Sequence, residues 1–322
     1  MLQDDLGLIR ERIDAAETIA IFAHVRPDGD SIGGSLALGW ALEDIGKKVE
    51  FISEDPVPER YHFLFQFTND GNNPYIPEPL NPDCYITPDI SSPDRAGRFF
   101  MEHKEIMPDI CIDHHVSNWG YAKLNWVEPK SPAACCTLTG IMPKLGFPLT
   151  KRISSALLCG IITDTNSFST SNVNAQTLRY AADLADNGAD IFPINRTAYK
   201  EHSTQEMEYW RIGMNNMHIE GELAWSFVSK AERDTAGIDS DEDNEFTSYL
   251  CNTTGIKTAV LLTETNDHKV KISWRAVPGY DVSKVAVAFG GGGHKAASGA
   301  TVRGPLDQAV YTIIAKTKEM LF

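Results

Sequence analysis

No stretch of this sequence stays apolar for the roughly 20 residues that a bilayer-spanning helix needs, so no membrane partner is expected. Positive charge is also scarce: 29 Lys and Arg stand against 44 Asp and Glu, a formal net charge of −15. Proteins that track a long nucleic-acid backbone gain affinity by pairing phosphates with a basic groove, so a long polymer is a poor partner here. A small or short anion held by a few local donors is compatible with the balance. The six cysteines, at 84, 111, 135, 136, 159 and 251, include no Cys-x-x-Cys, and they read as structural thiols in a reducing compartment. Cys135 and Cys136 are expected to be buried in a helix that starts after Pro132. The opening residues, Met1-Leu2-Gln3-Asp4-Asp5, lack the basic start and apolar core of a secretory signal, so the expected location is the cytoplasm. Internal repeats and low-complexity tails are missing too.

What is present is an ordinary globular composition, 42% hydrophobic over 322 residues, enough for two domains with separate cores. Thr18 to Ala23 is short, apolar and β-branched, as a buried strand is. The run His24-Val25-Arg26-Pro27-Asp28-Gly29-Asp30-Ser31 then breaks the periodicity, and Leu36, Leu38, Trp40, Leu42 and Ile45 continue as a helix. Open α/β sheets place their chemistry at the C-terminal ends of strands, beside helix N-termini. Taken alone, this run reads first as an ordinary acidic turn with His24 in the core, and the other runs have to shift that balance.

The strand-then-acid arrangement recurs, with Asp89 after an apolar segment and Asp113-His114-His115 at the end of Ile110 to Ile112. A fourth acid, Asp164, follows Leu157 to Thr163. Adjacent histidines point different ways, so one can ligate while the other meets substrate, and Asp113 can orient an imidazole. Imidazole nitrogen with hard carboxylate oxygens suits divalent ions such as Mn²⁺. Two His and four Asp suffice for two cations sharing a carboxylate, the arrangement used for in-line displacement at phosphorus. The pattern points to metal-assisted phosphoester hydrolysis.

Around these loops, Gln3 to Ala16 is expected to be a helix and Lys48 to Ile52 a strand. The aromatic segment Pro56 to Phe67 reads as core. Asn69 to Pro82 reads as a loop whose Tyr75 is a lid or an exposed excursion. Cys84 to Ile86 is a strand, a helix covers Arg95 to Phe100, and Leu124 to Val127 is an edge strand. Helices follow over Pro132 to Leu145, Thr150 to Leu158 and Asn174 to Asn187. The expectation is an α/β fold: a parallel sheet with helices on both faces over 1–188, a helical connector over 189–209, and a smaller α/β domain over 210–322. In that domain a hairpin turns at Glu220-Gly221-Glu222, strands flank Asn266-Asp267, and Pro305 to Leu321 is a helix. Asp239-Ser240-Asp241-Glu242-Asp243 reads as a solvated charge run, because it lacks the glycine and terminal glutamate of a calcium-binding hand. Four glycines, Gly290 to Gly293, precede His294 and Lys295 and would let backbone amides approach an anion, or serve as a flexible joint.

The series His24-x-x-x-Asp28-x-Asp30, Asp89, Asp113-His114-His115 and Asp164 resembles the DHH phosphoesterase superfamily. Ser273-Trp274-Arg275 with the run from Phe289 to Gly299 looks like the closing motif of a DHHA1 domain. The likeness spans almost the whole chain and favours the nanoRNase and 3′-phosphoadenosine-5′-phosphate phosphatase branch. It implies an active site in an inter-domain cleft, with one cation on His24, Asp28 and Asp89 and another on Asp30, Asp89, His114 and Asp164. It also implies that His115 contacts the scissile phosphate, with Asp113 beside it, and that Arg275, Gly291, Gly292, Gly293 and His294 bind a substrate phosphate. The implied cations are Mn²⁺, with Mg²⁺ or Co²⁺ as alternatives. The implied substrates are short RNA, linear dinucleotides and 3′-phosphoadenosine 5′-phosphate, and a homodimer is compatible. A manganese-dependent pyrophosphatase, a single-strand exonuclease and a nucleotide-binding regulatory module are the rival readings. Four positions depart from the family habit: Pro88 and Ile90 flank Asp89, Asn166 stands for glycine, and Ser169 for a basic residue.

Overall fold

A computed structural model describes residues 2–238, 245–265 and 268–322. The chain divides into two compact units, Met1–Glu201 and His202–Phe322. The first unit runs β1 (Leu2–Gln3), α1 (Leu6–Ala15), β2 (Thr18–Phe22), α2 (Gly29–Asp44), β3 (Lys48–Ile52), a 3₁₀ stretch (Glu59–Phe67), β4 (Tyr75–Ile76) and β5 (Cys84–Pro88). It continues with a 3₁₀ turn (Pro93–Ala96), α3 (Phe99–Glu102), β6 (Ile110–Asp113), β7 (Leu124–Val127), α4 (Ala134–Ile141), α5 (Lys151–Asp164), α6 (Ala175–Asp186), α7 (Ile191–Asn195) and a π turn (Arg196–Lys200). Its sheet has the order β1-β7-β6-β5-β2-β3-β4, and only the β1–β7 pairing is antiparallel.

The β-branched strands are buried on both faces, as a parallel sheet requires. Ile19 and Ile21 of β2 point into the larger core with α1, α2, α4 and α5, while Ala20 and Phe22 point into a smaller cluster with Ile52, Phe100 and Tyr121. Helix α2 is buried from Gly29 to Leu42, because α5 packs over its outer side. No helix among the described residues is long and apolar enough to cross a membrane.

Several expectations need correction. The expected first helix starts later, since Asp5 caps α1 by accepting from Gly7 N and leaves Leu2–Gln3 extended against β7. Strand β7 is therefore covered by β1 and is not an edge. Tyr75 is neither lid nor excursion: it lies in β4 beside β3, its ring meets Phe51 and Phe65, and its hydroxyl lies 2.5 Å from Ser35 Oγ. The helix expected over Arg95 to Phe100 is broken at Gly97, whose φ of +93° ends the 3₁₀ turn before α3 begins.

The second unit runs α8 (Thr204–Asn215), β8 (His218–Glu220), β9 (Leu223–Val228), α9 (Lys230–Ala236), α10 (Phe246–Cys251), β10 (Thr258–Glu264), β11 (Lys269–Ala276), α11 (Val282–Ala288), β12 (Gly292–His294), β13 (Ala297–Arg303) and α12 (Leu306–Leu321). Its sheet order is β12-β13-β11-β10-β9-β8. Strand β11 alternates strictly, with Val270, Ile272 and Trp274 turned to a core that contains Val285 of α11 and Ile313 of α12. A separate core unites Tyr209, Phe246, Leu250 and Leu261. The glycine run is in part a strand and not wholly a loop. A side chain on Gly291 or Gly293 would collide with the backbone of β13, so two of its glycines have a packing reason. The acidic run at 239–243 and the turn at Asn266-Asp267 lie outside the described residues.

Candidate metal centre

The strand order β6-β5-β2 sets three parallel C-terminal ends side by side, and each delivers an expected residue: His24 after β2, Asp89 after β5, and Asp113-His114-His115 at the end of β6. Helices α2 and α5 bring the rest. They run antiparallel, with Gly29 against Thr163 and Gly33 against Ala156, so Asp30 at the start of one meets Asp164 at the end of the other.

The six residues converge on Asp89, which is 2% exposed. His24 Nε2 lies 3.5 Å from both Asp28 Oδ2 and Asp89 Oδ2. His114 Nε2 lies 3.4 Å from Asp89 Oδ1, 3.5 Å from Asp164 Oδ2 and 3.8 Å from Asp30 Oδ2. Donor atoms of His24, Asp28 and Asp89 fall within 4.8 Å of one another, as do those of Asp30, His114 and Asp164. Asp89 has a φ of +56°, a left-handed conformation that Asp tolerates better than most residues, and its amide donates to Ile112 O. Pro88 is the last residue of β5, and Ile90 is buried in the smaller cluster, where its carbonyl accepts from Tyr121 and Asn118.

The surrounding hydrogen bonds orient these donors. His24 Nδ1 lies 3.0 Å from Val25 O and His114 Nδ1 lies 3.2 Å from Ser131 O. With those protons given to carbonyls, both Nε2 lone pairs face Asp89. Asp28 caps α2, accepting from Asp30 N and Ser31 N, and Asp30 accepts from Ala134 N and Cys135 N at the start of α4. Asp113 is fully buried: Oδ1 lies 2.8 Å from His115 Nδ1 and Oδ2 accepts from Asn118 Nδ2. His115 thereby keeps Nε2 free. Sequence reasoning missed Ser31, whose hydroxyl accepts from His24 N, Ser131, whose carbonyl faces His114 Nδ1, and Arg95, whose Nη2 lies 3.4 Å from His24 Nδ1, because a hydroxyl, a carbonyl and a remote guanidinium carry no motif. Asn166, with Ser167 and Phe168, forms three consecutive residues at positive φ, which accounts for the glycine habit at that position.

Arg275, Gly291, Gly292, Gly293 and His294 belong to the second unit. Arg275 pairs with Ala297 and Ala297 with His294 on three neighbouring strands, so the Arg275 and His294 side chains stand on one face, about 10 Å apart, with a small residue between. Arg275 Nε donates to Ser248 Oγ and Nη1 to Trp274 O. His294 is exposed, as are Gly292 and Gly293.

Residues 18–161 match the DHH family, N-terminal domain, and residues 223–321 match the DHHA1 domain. The chain belongs to the DHH/DHHA1 phosphoesterases. It is 29% identical, over 99% of its length and 95% of the relative's, to the bifunctional oligoribonuclease and PAP phosphatase NrnA of Thermus thermophilus. The Bacillus subtilis protein of that name is 25% identical over 90% of this chain and 91% of its own. A solved exopolyphosphatase-related protein from Bacteroides fragilis has the same fold, with a TM-score of 0.87 at 21% identity over 98% of this chain and 95% of its own. DHH/DHHA1 proteins of this branch are hydrolases of phosphoester bonds, and this chain is one of them.

The centre fits the divalent cations that DHH chemistry uses. Asp89 Oδ1 is buried without a hydrogen-bond partner, and four carboxylates crowd two imidazoles. Burial, then the charge of Asp89, pushes Asp30 up to about 7, and burial with the charge of Asp30 holds Asp164 well above the usual carboxylate range. Burial disfavours imidazolium at His24 and His114, yet Asp28 and Asp89 at the first and Asp89 at the second outweigh it and raise both to about 11. Burial also opposes ionisation of Asp89, but His114 and His24 outweigh it and its pKa falls. Without a cation, protons hold the cluster together.

Those shifts fix a pH dependence. The stabilisation from His24⁺ and His114⁺ is complete below their unfolded value near 6.5 and is lost as pH rises toward 11. Ionising Asp30 on the way to pH 7 acts in the same direction. Melting in chelator at pH 6.5, 7.5 and 8.5 should therefore give a falling Tm, with the rise caused by Mn²⁺ growing with pH, because bound cations replace protons. A chelated protein whose Tm climbs across that range would contradict the arrangement.

Proposed function

We propose that the protein hydrolyses short oligoribonucleotides, linear dinucleotides and 3′-phosphoadenosine 5′-phosphate. The observation that carries this reading is the convergence of two imidazoles and four carboxylates on a buried, unpartnered oxygen of Asp89. The names of the relatives from Thermus thermophilus and Bacillus subtilis support the substrate class. His24, Asp28 and Asp89 would hold one cation and Asp30, Asp89, His114 and Asp164 the other, with Mn²⁺ the best match to mixed imidazole and carboxylate donors. Bound there, the pair supplies an activated water and neutralises charge at phosphorus.

The chain's own residues do the rest. Asp89 shares its two oxygens between the two imidazoles, so it sets their spacing. Asp113 accepts from His115 Nδ1 and, against the effect of burial, favours the imidazolium, whose Nε2–H is left to donate to a phosphate oxygen or the departing ribose oxygen. Arg275 spends Nε and Nη1 on Ser248 and Trp274, which leaves Nη2 and a rigid guanidinium for the substrate's second phosphate, with His294 on the same face. The net charge of −15 disfavours a long strand and leaves only local cations for a short one.

Incubation with Mn²⁺ and 3′-phosphoadenosine 5′-phosphate, a diribonucleotide, a long oligonucleotide or pyrophosphate tests the assignment. The bisphosphate and the diribonucleotide should be consumed in preference, and preferential turnover of pyrophosphate or of the long strand would reject it. Arg275→Ala should raise KM by about 10–100-fold and change kcat much less, since it removes a charge-assisted contact remote from the scissile bond.

A further inference from the structure

We propose that Arg95 is a further catalytic residue, one that holds an oxygen of the substrate's phosphate beside the His24 flank of the cluster. The proposal rests on the phosphoesterase reading, because that reading supplies the phosphate.

Arg95 lies in the 3₁₀ turn Pro93–Ala96, six residues beyond Asp89. Its backbone is tied at both ends: its amide donates to Ser92 O and its carbonyl accepts from Val25 N, one residue after His24. The stem therefore leaves a fixed point between the loop of Asp89 and the loop that carries His24 and Asp28. Its guanidinium reaches inward, and Nη2 lies 3.4 Å from His24 Nδ1. That nitrogen already lies 3.0 Å from Val25 O. When Nε2 is the ligating atom, Nδ1 carries the proton and gives it to Val25 O, so His24 offers the guanidinium no acceptor. Among the described residues no carboxylate comes within ion-pair distance of Arg95, although the cluster beside it holds four. A half-buried, permanently charged fork without an anion of its own, at the edge of a cation site, matches an anionic oxygen supplied from outside.

The chemical class follows. A phosphate that reaches the cluster presents more oxygens than the cations would take, and one of them accepts from Arg95 beside His24. The guanidinium then neutralises charge on phosphorus as it rises during displacement. A bracing role for His24 is the alternative, and it predicts a different phenotype, since it would act through the cation.

Binding and turnover separate these. Wild type, Arg95→Ala and Arg95→Lys are loaded with Mn²⁺ and titrated calorimetrically with AMP and with adenosine, and Mn²⁺ affinity is measured in parallel. Arg95→Ala should bind AMP about 10–100-fold more weakly, the worth of one charge-assisted contact, with adenosine and Mn²⁺ affinity within twofold of wild type. Arg95→Lys, which keeps the stem and the charge, should recover part of the AMP affinity. On 3′-phosphoadenosine 5′-phosphate, kcat/KM of Arg95→Ala should fall by at least the same factor. AMP affinity unchanged in Arg95→Ala, a wild type that does not prefer AMP to adenosine, or a loss confined to Mn²⁺ affinity would each overturn the proposal. A wild type that turns over none of the phosphoesters would remove the phosphoesterase reading, and the AMP comparison would still decide Arg95.

Discussion

Asp89→Asn is expected to lower Mn²⁺-dependent hydrolysis by on the order of 10³-fold or more while the protein stays folded, because several kcal/mol of charge stabilisation at phosphorus depend on one side chain. Asparagine is the informative replacement. Position 89 sits at a φ of +56°, which Asn adopts almost as readily as Asp, whereas Ala would add backbone strain to the loss of a ligand. The amide keeps the volume and removes the charge that faces His24 and His114. Both imidazole pKa values should then fall, and the stabilisation that Mn²⁺ gives the wild type, about 2.7 kcal/mol at a hundred times Kd, should disappear together with the Tm rise that reports it. Asp109→Asn is the control. Asp109 is also a buried acid of β6's approach, but it pairs with Arg12 and Lys123 and accepts from Tyr85 N, away from the cluster. Its loss should cost roughly 1–3 kcal/mol of stability and leave the Mn²⁺ response intact. Near-normal rates in Asp89→Asn would remove the shared carboxylate from the mechanism.

Much of this site could be read before folding, for a physical reason. A parallel sheet gathers strand ends, so the three acidic runs that follow β2, β5 and β6 are brought to one edge whatever the exact crossing of the helices. The order along the chain sufficed for His24, Asp89 and His114. Asp164 was legible because an apolar helix ends on it. The illegible parts depend on contacts between distant segments. Ser131, which orients His114 through a carbonyl, and Arg95, which reaches His24 across 71 residues, have no local signature. Leu2–Gln3 pairs with β7 because Asp5 delays the first helix, and Tyr75 becomes a strand residue because Phe51 and Ser35 receive its ring and hydroxyl. Propensity alone gave a helix in one case and a loop in the other, and tertiary partners decided both.

The antiparallel seam between α2 and α5 yields the largest expected loss of stability. A methyl group at Gly33 would fall well inside contact distance of the carbonyl oxygen of Ala156 and within 3.2 Å of Gly160 N. Alanine gains about 1 kcal/mol of helix propensity over glycine, which would favour Gly33→Ala if the neighbour could yield. It cannot yield cheaply, because that oxygen belongs to the backbone of α5 and the outer helix is buried along the same stretch. The helices must separate, so a net destabilisation of about 3 kcal/mol, a Tm drop of roughly 10 °C, is expected. Gly34→Ala, one position on, is crowded by the end of the Leu138 side chain at 3.2 Å, with Cys135 Sγ and Pro88 Cβ at ordinary contact distance, and should stay within about 1 kcal/mol of wild type. The seam also sets the chemistry. Gly29 packs on Thr163, next to Asp164, and Gly160 leaves room for Asp30 Oδ1 2.8 Å from where its own side chain would begin. Widening the seam therefore moves Asp164 away from Asp30 and His114, and a displacement of about 1 Å can cost on the order of 10²-fold in rate. Gly33→Ala should thus lose turnover and Mn²⁺-linked stabilisation together at temperatures where circular dichroism still reports folded protein. If Gly33→Ala melts with Gly34→Ala and binds Mn²⁺ as wild type does, the close approach of α2 and α5 does not set the distance between the two carboxylates.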